Sequence, residues 1–570
     1  MLSNHTMRPA FAQAGTPSAS RRTSVEQRDP VKFQNGASEA EDFHSFHPNA
    51  GRDDVRRRPP ERNGGGRPGH NNGKRNVILA VAIAAALLLL IVLIIGIALA
   101  GGGHITYEDN AYIAYADGDG NFHVAVNGSV LDYKFEGEVE VIPAADHSFA
   151  YVTDTSAEGV EIFVLDGKKL ESITSSPVAD AIAFASLKPG VVFRENEKYY
   201  LYSEEVGEEM ITKDPTASSF LLSGDASTIV FTAAVENSAG ETHLHLYQDG
   251  SSTKVAKNCQ PVALSNYGDY IYGKALSKDG AENLYIITSK DQEKLLIDKS
   301  SGFGAITNIN VKGDEILFST SNGAEVYTCL YRFDDHETVQ LAKSYLTPAV
   351  VDPTIAIYAD FGDIYLEGVN ILSENAGIAT YYLNKKYEIR KISSFLGKFD
   401  SEGKYFYYIN SEMTLVQQDL SDDNYPKKSI DEDVIDFAIT EKGNVYSLNE
   451  ENHLRFYKVS TEKKSRIADE ITTISLHNYA NEIYFTMSDD VNVSVFTSKE
   501  GSEESAAKWD STQISSVPYF SQPNSKRTYA YYYDIDNGWM LFYTSNGRSF
   551  KLISNDCEAI NGVEIPDSIG

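Results

Sequence analysis

One short phrase recurs along most of the chain beyond residue 105, and it limits the possible folds more than any other feature. A strand of β-branched and aromatic residues ends in Tyr or Phe, and a polar turn leads into a second alternating strand. The ten gaps between successive closing aromatics run from 36 to 47 residues, with a mean of about 42. The markers of this repeat are Tyr115, Tyr151, Phe193, Phe231, Tyr272, Phe318, Tyr365, Tyr407, Tyr446, Phe485 and Tyr531.

This period predicts the fold class. Apolar and polar residues alternate with a two-residue period, as in half-buried strands, and no segment of the repeat region has helical periodicity. A four-stranded sheet buries its faces only against neighbouring sheets, and ring closure removes the exposed ends. We therefore predict an all-β fold, a β-propeller of roughly 8–10 four-stranded blades over residues 105–570.

The arrangement of the blades stays open at this point. The repeats fit one unusually large ring, an eight- or nine-bladed ring with irregular or inserted units, or two smaller rings. Two stretches are longer than a normal turn and are candidate insertions: Leu366–Ala379 and Lys499–Lys508.

Two stretches carry a resemblance to a known family. Residues 222–231 read LSGDASTIVF, and residues 399–407 read FDSEGKYFY. This phrase resembles the repeats of TolB-like and other WD-type propellers, in which Ser-Pro-Asp-Gly precedes a strand that ends in Ile-x-Phe. The overall layout is similar to that of uncharacterised membrane-anchored propeller proteins of Gram-positive bacteria. The resemblance implies an architecture but no activity, because such propellers serve many functions.

A continuous apolar run precedes the repeats. From Val77 to Ala100 there are 24 residues without a charge, an amide or a proline. A helix of this length spans about 36 Å, enough to cross a bilayer core of about 30 Å. Residues 76–100 are therefore predicted to be a transmembrane signal-anchor, since a cleaved signal peptide starts near the N-terminus. The small residues of Ala98-Leu99-Ala100 leave cleavage as the alternative.

Flanking charges predict the orientation of this anchor. Positive residues crowd its N-terminal side, whereas the first one after it is Lys134. The positive-inside rule then places the N-terminus in the cytoplasm. A short linker at 101–104 and the extracytoplasmic propeller at 105–570 follow, which makes the protein a single-pass protein of the cell membrane. The residues that set this topology are Arg56, Arg57, Arg58, Lys74 and Arg75.

The predicted cytoplasmic tail, residues 1–75, is rich in Arg, Pro, Gly, Ser and Asn. Such a composition cannot offset the entropy of ordering, so we predict a disordered basic region. Ser24 follows a pair of arginines and is a possible phosphosite of a basophilic kinase. The arginine cluster near the membrane either sets topology alone or also binds anionic headgroups.

Charge excludes one class of partner. The tail holds 13 of the 50 Lys and Arg and 8 of the 81 Asp and Glu, which leaves 37 basic and 73 acidic residues for the remainder. A domain this acidic repels nucleic acid, so no nucleic-acid partner is expected. The three widely spaced cysteines, Cys259, Cys329 and Cys557, form no disulfide framework, although one pair could bridge.

Few residues suggest chemistry. Asp117, Asp119 and Asn121 place oxygens at the first, third and fifth positions of a calcium-type loop, but Phe122 and Gly128 stand where such a loop needs Gly and Glu. A hairpin turn explains the same residues. His243 and His245 share one strand face without an evident third ligand. We predict no catalytic set, no metal site and no cofactor.

The predicted function is recognition. A ring of blades presents loops suited to binding an envelope protein, a peptide or a glycan, as a non-enzymatic recognition or scaffold domain. The alternative is a cell-surface propeller enzyme, either a hydrolase or a quinone-type oxidoreductase. No known catalytic motif supports this alternative.

Overall fold

Strands and turns make up nearly all of the described chain. The computed structural model describes residues 108–560, apart from 237, 239, 279, 300–301, 324, 349–363, 371–376, 385, 423, 489–492, 503–504, 507–516, 523–524, 535–537 and 548. The single exception to the β structure is a 3-10 turn at Val459–Thr461. Within these residues no helix is both long and apolar enough to cross a bilayer. The predicted tail, membrane helix and linker lie outside them.

The described strands form ten antiparallel sheets, nine with four strands and one with seven. Each four-stranded sheet contains strands that are consecutive in the chain, and we call it a blade. The seven-stranded sheet joins the first three strands to the last four, which we count as blades 1 and 11. Ten sheets thus contain eleven strand groups, where the sequence predicted roughly 8–10 blades.

Blades 1–6 occupy the first half of the repeat region. Blade 1 has three strands of its own, and blades 2–6 have four each, hydrogen-bonded in chain order. Their bounds are β1 (Tyr112–Asp117), β2 (Phe122–Val126), β3 (Ser129–Val130), β4 (Glu138–Pro143), β5 (Ala150–Ser156), β6 (Gly159–Asp166), β7 (Lys169–Ser172), β8 (Asp180–Phe184), β9 (Gly190–Glu195), β10 (Lys198–Ser203), β11 (Gly207–Thr212), β12 (Ser218–Leu222), β13 (Thr228–Ala234), β14 (Thr242–Gln248), β15 (Ser251–Lys257), β16 (Gln260–Leu264), β17 (Tyr270–Leu276), β18 (Glu282–Thr288), β19 (Lys294–Lys299), β20 (Gly302–Ile309), β21 (Glu315–Asn322), β22 (Glu325–Arg332) and β23 (Glu337–Ala342).

Blades 7–11 continue the same order. Their bounds are β24 (Tyr345–Pro348), β25 (Ile364–Asn370), β26 (Gly377–Leu383), β27 (Ile389–Ser393), β28 (Lys398–Phe399), β29 (Tyr405–Ile409), β30 (Leu415–Asp419), β31 (Lys427–Asp431), β32 (Val434–Ile439), β33 (Val445–Asn449), β34 (Leu454–Lys458), β35 (Lys463–Ala468), β36 (Ile471–His477), β37 (Glu482–Ser488), β38 (Val493–Lys499), β39 (Ser505–Ala506), β40 (Tyr519–Phe520), β41 (Thr528–Asp534), β42 (Gly538–Thr544) and β43 (Phe550–Ile560).

The aromatic markers lie at equivalent places in the blades. Each of the eleven lies in the second strand of its blade, if the end of β43 is counted as the first strand of blade 1. Nine of them are at most 5% exposed, and the other two, Tyr365 and Tyr531, are half-buried. The apolar clusters that contain them join neighbouring blades, as Tyr272 of blade 5 and Phe318 of blade 6 share one cluster. The core therefore consists of layers between blades.

The blades are arranged with their first strands innermost. The first strand of blade 4, β12, contacts the first strands of both neighbours, β8 and β16, and β20 likewise contacts β16 and β24. Among the described residues of the fourth strands, only those of β19 and β23 make a comparable contact. Sheets that converge at their first strands and diverge at their fourth strands are the blades of a propeller.

Antiparallel pairing brings the turn between the first and second strands to the same end as the turn between the third and fourth strands. We call this end the turn face. Hydrogen bonds join the first turns of consecutive blades along it: Ala145 N to Ser186 O (2.8 Å), Leu187 N to Gly224 O (2.7 Å) and Asp225 N to Asn266 O (3.0 Å). The first turns of blades 2–5 are thereby aligned on one side.

The first turn has a recurrent geometry that explains the TolB-like phrase. In most blades its fourth residue has a positive φ, and this residue is Gly268, Gly313, Gly403 or Gly443 in four blades but Ala226 in blade 4. Its first side chain accepts a hydrogen bond from the main chain five residues later, as Asp400 does from Tyr405 N at 2.9 Å. The glycine of the phrase thus occupies a left-handed backbone position, which glycine adopts without steric cost and which other residues occupy in some blades.

The last strand closes the series. The first part of β43 pairs with β42, and its end pairs with β1, where Ala559 lies opposite Ala116. On the turn face, Arg527 of blade 11 donates to the carbonyl of Asp109 and to the side chain of Asn110 before β1, at 3.3 and 3.2 Å. Joining the two ends leaves neither terminal blade with a free edge on that side.

The pairing of β43 with β1 distinguishes one series of blades from two rings. Consecutive blades pack together from blade 1 to blade 11, and the described residues contain a single closure, so they form one series rather than two rings. The described residues of Leu366–Ala379 form the β25–β26 hairpin of blade 7, in register from Ile364 and Leu383 to Asn370 and Gly377. Both ends of this candidate insertion are therefore strands of a regular blade, and its middle, residues 371–376, lies outside the described residues. The stretch Lys499–Lys508 includes the β38–β39 turn of blade 10.

Candidate functional site

A cleft of about 370 Å³ opens on the turn face between blades 3 and 4. The first turns of the two blades border its inner end, and their β10–β11 and β14–β15 turns border its outer end. Its size is at the lower end of the range of small-ligand sites, about 300–1,000 Å³. It is lined by Lys188, Pro189, Leu201, Ser203, Glu204, Glu205, Val206, Glu209, Asp225, Ala226, Ser227, Tyr247, Asp249 and Gly250.

Strand pairing and one glycine position the acidic wall. Glu204 and Glu205 lie in the turn between β10 and β11, and Glu209 follows on β11 opposite Leu201. Gly250, at φ +72°, faces this wall from blade 4. A Cβ atom on Gly250 would lie 2.9 Å from Glu209 Oε1, so the absence of a side chain lets the carboxylate approach the turn.

Most of the carboxylates in the cleft are not neutralised. Lys188 forms an ion pair with Glu205 at 2.8 Å. Asp225 accepts hydrogen bonds within its own turn, from Ser223 and Ser227. Across the described part of the chain, no Lys, Arg or His lies within ion-pair distance of the remaining three carboxylates, which belong to Glu204, Glu209 and Asp249. The cleft therefore presents a net negative field to solvent.

A buried phenol completes the cleft. Tyr247 is 3% exposed, and its ring packs in the same cluster as Leu201. The Glu209 carboxylate lies near the phenol and influences its pKa. The hydroxyl nevertheless makes no hydrogen bond of good geometry with any described residue. Burial, followed by the Glu209 carboxylate, raises the pKa of Tyr247, so the phenol stays protonated at neutral pH. Val206, 62% exposed, adds an apolar side chain at the mouth.

The residues predicted as a calcium loop lie elsewhere, in the β1–β2 turn of blade 1. Asp117 Oδ1 accepts hydrogen bonds from the backbone N–H groups of Asp119 and Asn121 at 3.1 and 2.9 Å. Its other oxygen contacts His123 Nε2 at 2.8 Å. Hydrogen bonding from His123, and then from Asn121, lowers the pKa of Asp117 to about 2. The carboxylate thus stabilises the turn, and nowhere in the described segments do three His, Cys, Asp or Glu side chains converge on a metal position.

The paired histidines form local contacts. His243 and His245 have ring centroids 6.2 Å apart on one face of β14. His245 stacks on Phe231 at 5.1 Å, and His243 lies 3.2 Å from Glu241 and 2.7 Å from Lys254.

The three cysteines form no disulfide. Cys259, Cys329 and Cys557 are buried and free.

The other predicted residues lie outside the described part of the chain. These are the phosphosite, the ends of the membrane run and the residues that set topology: Ser24, Val77, Ala100, Arg56, Arg57, Arg58, Lys74 and Arg75. No sequence pattern predicts the cleft, because its walls come from two different blades. The one local signal was the stretch SEEVGEE at residues 203–209, four carboxylates in a turn and the strand after it.

Comparisons with known proteins bear on architecture alone. No protein-family model matches the chain, and no curated protein matches it. Among solved structures it is similar to the tricorn protease, at 11% identity and a TM-score of 0.26 over 79% of this chain and 58% of that chain. It is also similar to the β-propeller domain of the Trilobed protease from Pyrococcus furiosus, at 12% identity and a TM-score of 0.24 over 60% and 95%. TolB from Acinetobacter baumannii has 14% identity and a TM-score of 0.26 over 43% and 66%.

These values limit what the likeness implies. The chain spans just over half the length of the tricorn protease. TolB and propeller proteins are among the similar structures, in line with the resemblance noted in the repeats, but identities and scores this low carry no argument about activity. The assignment of propeller blades rests on the sheets themselves.

Proposed function

We propose that this protein is a membrane-anchored recognition or scaffold protein without enzymatic activity, whose propeller binds an envelope protein, a peptide or a glycan outside the cell. The single observation that carries the proposal is the cleft between blades 3 and 4. It joins carboxylates without counter-charges, an unpartnered buried phenol and exposed apolar surface. Convergent polar groups in a preformed concavity are typical of binding sites.

The proposal places this cleft outside a bilayer. The apolar run from Val77 to Ala100 and the arginines before it support an anchor with a cytoplasmic tail. Protease treatment of intact cells tests the orientation through tags at both ends of the full chain. We expect the C-terminal tag to be lost and the N-terminal tag to be protected. The reverse pattern would show that the propeller lies inside.

Partner capture tests the binding function. The full chain is crosslinked in cells, and the proteins captured by it are compared with those captured by the double variant Glu204→Lys/Asp249→Lys. We expect the variant to lose a specific partner, because reversed charges repel what the acidic cleft attracts. The matched control is Glu158→Lys/Glu412→Lys, which reverses two exposed charges in β5–β6 and β29–β30 turns at the opposite end of the blades. Equal capture by all three proteins would contradict the proposal.

A further inference from the structure

The cleft between blades 3 and 4 combines features that suit one chemical group. We propose that it binds a primary alkylammonium, the terminal group of a lysine side chain. This inference rests on the proposed recognition function and names its ligand class. It draws on the carboxylates of Glu209 and Asp249, the unpartnered hydroxyl of Tyr247 and the apolar surface of Leu201 and Val206.

The polar groups match the hydrogen-bonding capacity of an ammonium. A –NH₃⁺ group has three donors and no acceptor. Glu209 lines the cleft from blade 3 and Asp249 lines it from blade 4, both without a cation, and the phenol oxygen of Tyr247 has free lone pairs. An ammonium that donates to the buried phenol oxygen satisfies this acceptor, and the nearby Glu209 carboxylate is the acceptor towards which the phenol O–H can turn. The three acceptors therefore suit a ligand with three donors.

The apolar wall accounts for the alkyl part. Leu201 is 5% exposed and Val206 is 62% exposed, and both line the cleft. Lysine buries its methylene stem along apolar surface while its charge stays at a polar end. The protein's own Lys188 already places an ammonium on this wall, 2.8 Å from Glu205. The cleft thus accepts this group at one of its carboxylates and leaves others free.

Other cations fit less well. A divalent metal needs several converging oxygens, and no such cluster is present in the described parts of the chain. A planar guanidinium prefers two parallel bonds to one carboxylate, whereas the acceptors here belong to three different side chains. The arrangement consequently favours a compact charge on a flexible stem.

Calorimetric titration of the full chain in detergent micelles tests the inference. The probes are acetyl-Gly-Lys-Gly-amide, the same peptide with norleucine or arginine in place of lysine, and cadaverine as a free diamine. We expect the lysine peptide to bind and the norleucine peptide not to, with affinity falling as salt rises. Binding of cadaverine alone would identify a free amine as the source. Equal binding of the lysine and norleucine peptides, or stronger binding of the arginine peptide, would overturn the inference.

Variants localise the binding. Tyr247→Phe removes only the hydroxyl and should weaken binding of the lysine peptide about tenfold, as expected for a hydrogen bond to a charged group. Glu209→Gln removes one charge and should weaken it by roughly three- to tenfold. The matched control, Glu208→Gln, changes the neighbouring carboxylate, which does not line the cleft, and should leave affinity unchanged. If Glu209→Gln and Glu208→Gln behave alike, the ammonium does not bind here.

The ammonium site and the proposed recognition function can be tested independently of each other. Loss of peptide binding in Glu209→Gln, together with full capture of a cellular partner by the charge-reversed double variant, would uphold the ammonium site and contradict recognition through the cleft. Loss of the partner by the double variant, with no binding of either amine probe, would uphold recognition and reject the ammonium ligand.

Discussion

The hydroxyl of Tyr272 in blade 5 donates a 2.6 Å hydrogen bond to the carbonyl of Gly313 in the first turn of blade 6. The same relationship recurs between the marker tyrosine of one blade and the first turn of the next. It joins Tyr151 to Lys188 O (3.2 Å), Tyr365 to Gly403 O (3.1 Å) and Tyr407 to Gly443 O (3.3 Å). These phenols do more than fill the space between blades, because each also satisfies a turn carbonyl of its neighbour.

Replacing Tyr272 by Phe should therefore destabilise the protein. The ring stays, but the buried carbonyl of Gly313 loses its donor, at a cost of about 1–2 kcal/mol. Thermal unfolding measures the effect as a lower midpoint. Tyr345→Phe is the control, since Tyr345 is 41% exposed. An unchanged midpoint for Tyr272→Phe would show that the hydroxyl contributes nothing between blades.

A pair of glycines separates close packing from backbone strain. Both Gly313 and Gly280 have a positive φ, +79° and +86°. A Cβ on Gly313 would lie 2.1 Å from Ser265 Cβ, whereas one on Gly280 would meet nothing within 4 Å. Gly280→Ala should cost about 1–2 kcal/mol from strain alone. We expect Gly313→Ala to cost clearly more in chemical denaturation, and equal losses would refute the predicted clash.

His477 should make stability depend on pH. Its side chain is fully buried between blades 10 and 11, where the ring of Phe520 lies 4.8 Å away and Ala480 N donates to Nδ1. Burial, with a smaller effect of Lys499, lowers the pKa of His477 from 6.5 to about 4. The unfolded state then binds the proton first, so stability present above pH 6.5 is lost as pH falls towards 4.

The variant His477→Gln tests this, because it removes the titrating group. The loss attributable to His477 reaches at most about 3 kcal/mol. Carboxylates titrate in the same range in both proteins, so the comparison of unfolding midpoints at pH 7.5 and pH 5 isolates the histidine. Wild type should lose more stability than the variant over this interval. Parallel pH profiles would contradict the prediction.

Asp431, at the end of β31, has a buried carboxylate that binds two partly exposed cations. Its carboxylate is the acceptor for Ser447, Arg455 and Lys464, at 2.6, 2.7 and 2.8 Å. Burial favours a raised pKa, but Lys464, Ser447 and Arg455 together lower the pKa of Asp431 below its usual value. Asp431→Asn should therefore cost about 1–3 kcal/mol at neutral pH, since two cations lose their counter-charge. Asp433→Asn, at a nearby exposed position, serves as the control for denaturant unfolding.

The closing strand should be essential. Truncation after Asp556 removes the part of β43 that pairs with β1 and leaves the inner edge of blade 1 open. We expect loss of cooperative unfolding and concentration-dependent association, because an unpaired edge is a template for other chains. Truncation after Ile560 keeps every described pair of β43 and should behave like the full chain. Monomeric, cooperative behaviour of the shorter form would rule out this role.

The repeat and its strands were predictable from the sequence, because buried aromatics recur at one position in every blade. The exact count was not. Blade 1 borrows its first strand from β43, and pairing across more than 400 residues leaves no local pattern. The first turns were hard to recognise for a related reason, since Ala226 takes a left-handed position that Gly403 fills elsewhere. The cleft arises where blade 3, which carries Glu209, packs against blade 4, which carries Asp249, and no local sequence pattern records this packing.

The double pairing of β43 also sets an order of events in the cell. Blade 1 is made first among the described blades, yet its inner strand is supplied only after every residue up to Cys557 has been polymerised. Until then, the growing chain carries an unpaired edge throughout its synthesis. Quality control of this protein should accordingly act late, and a ribosome that stalls anywhere in the repeats releases a product whose first blade still needs a chaperone.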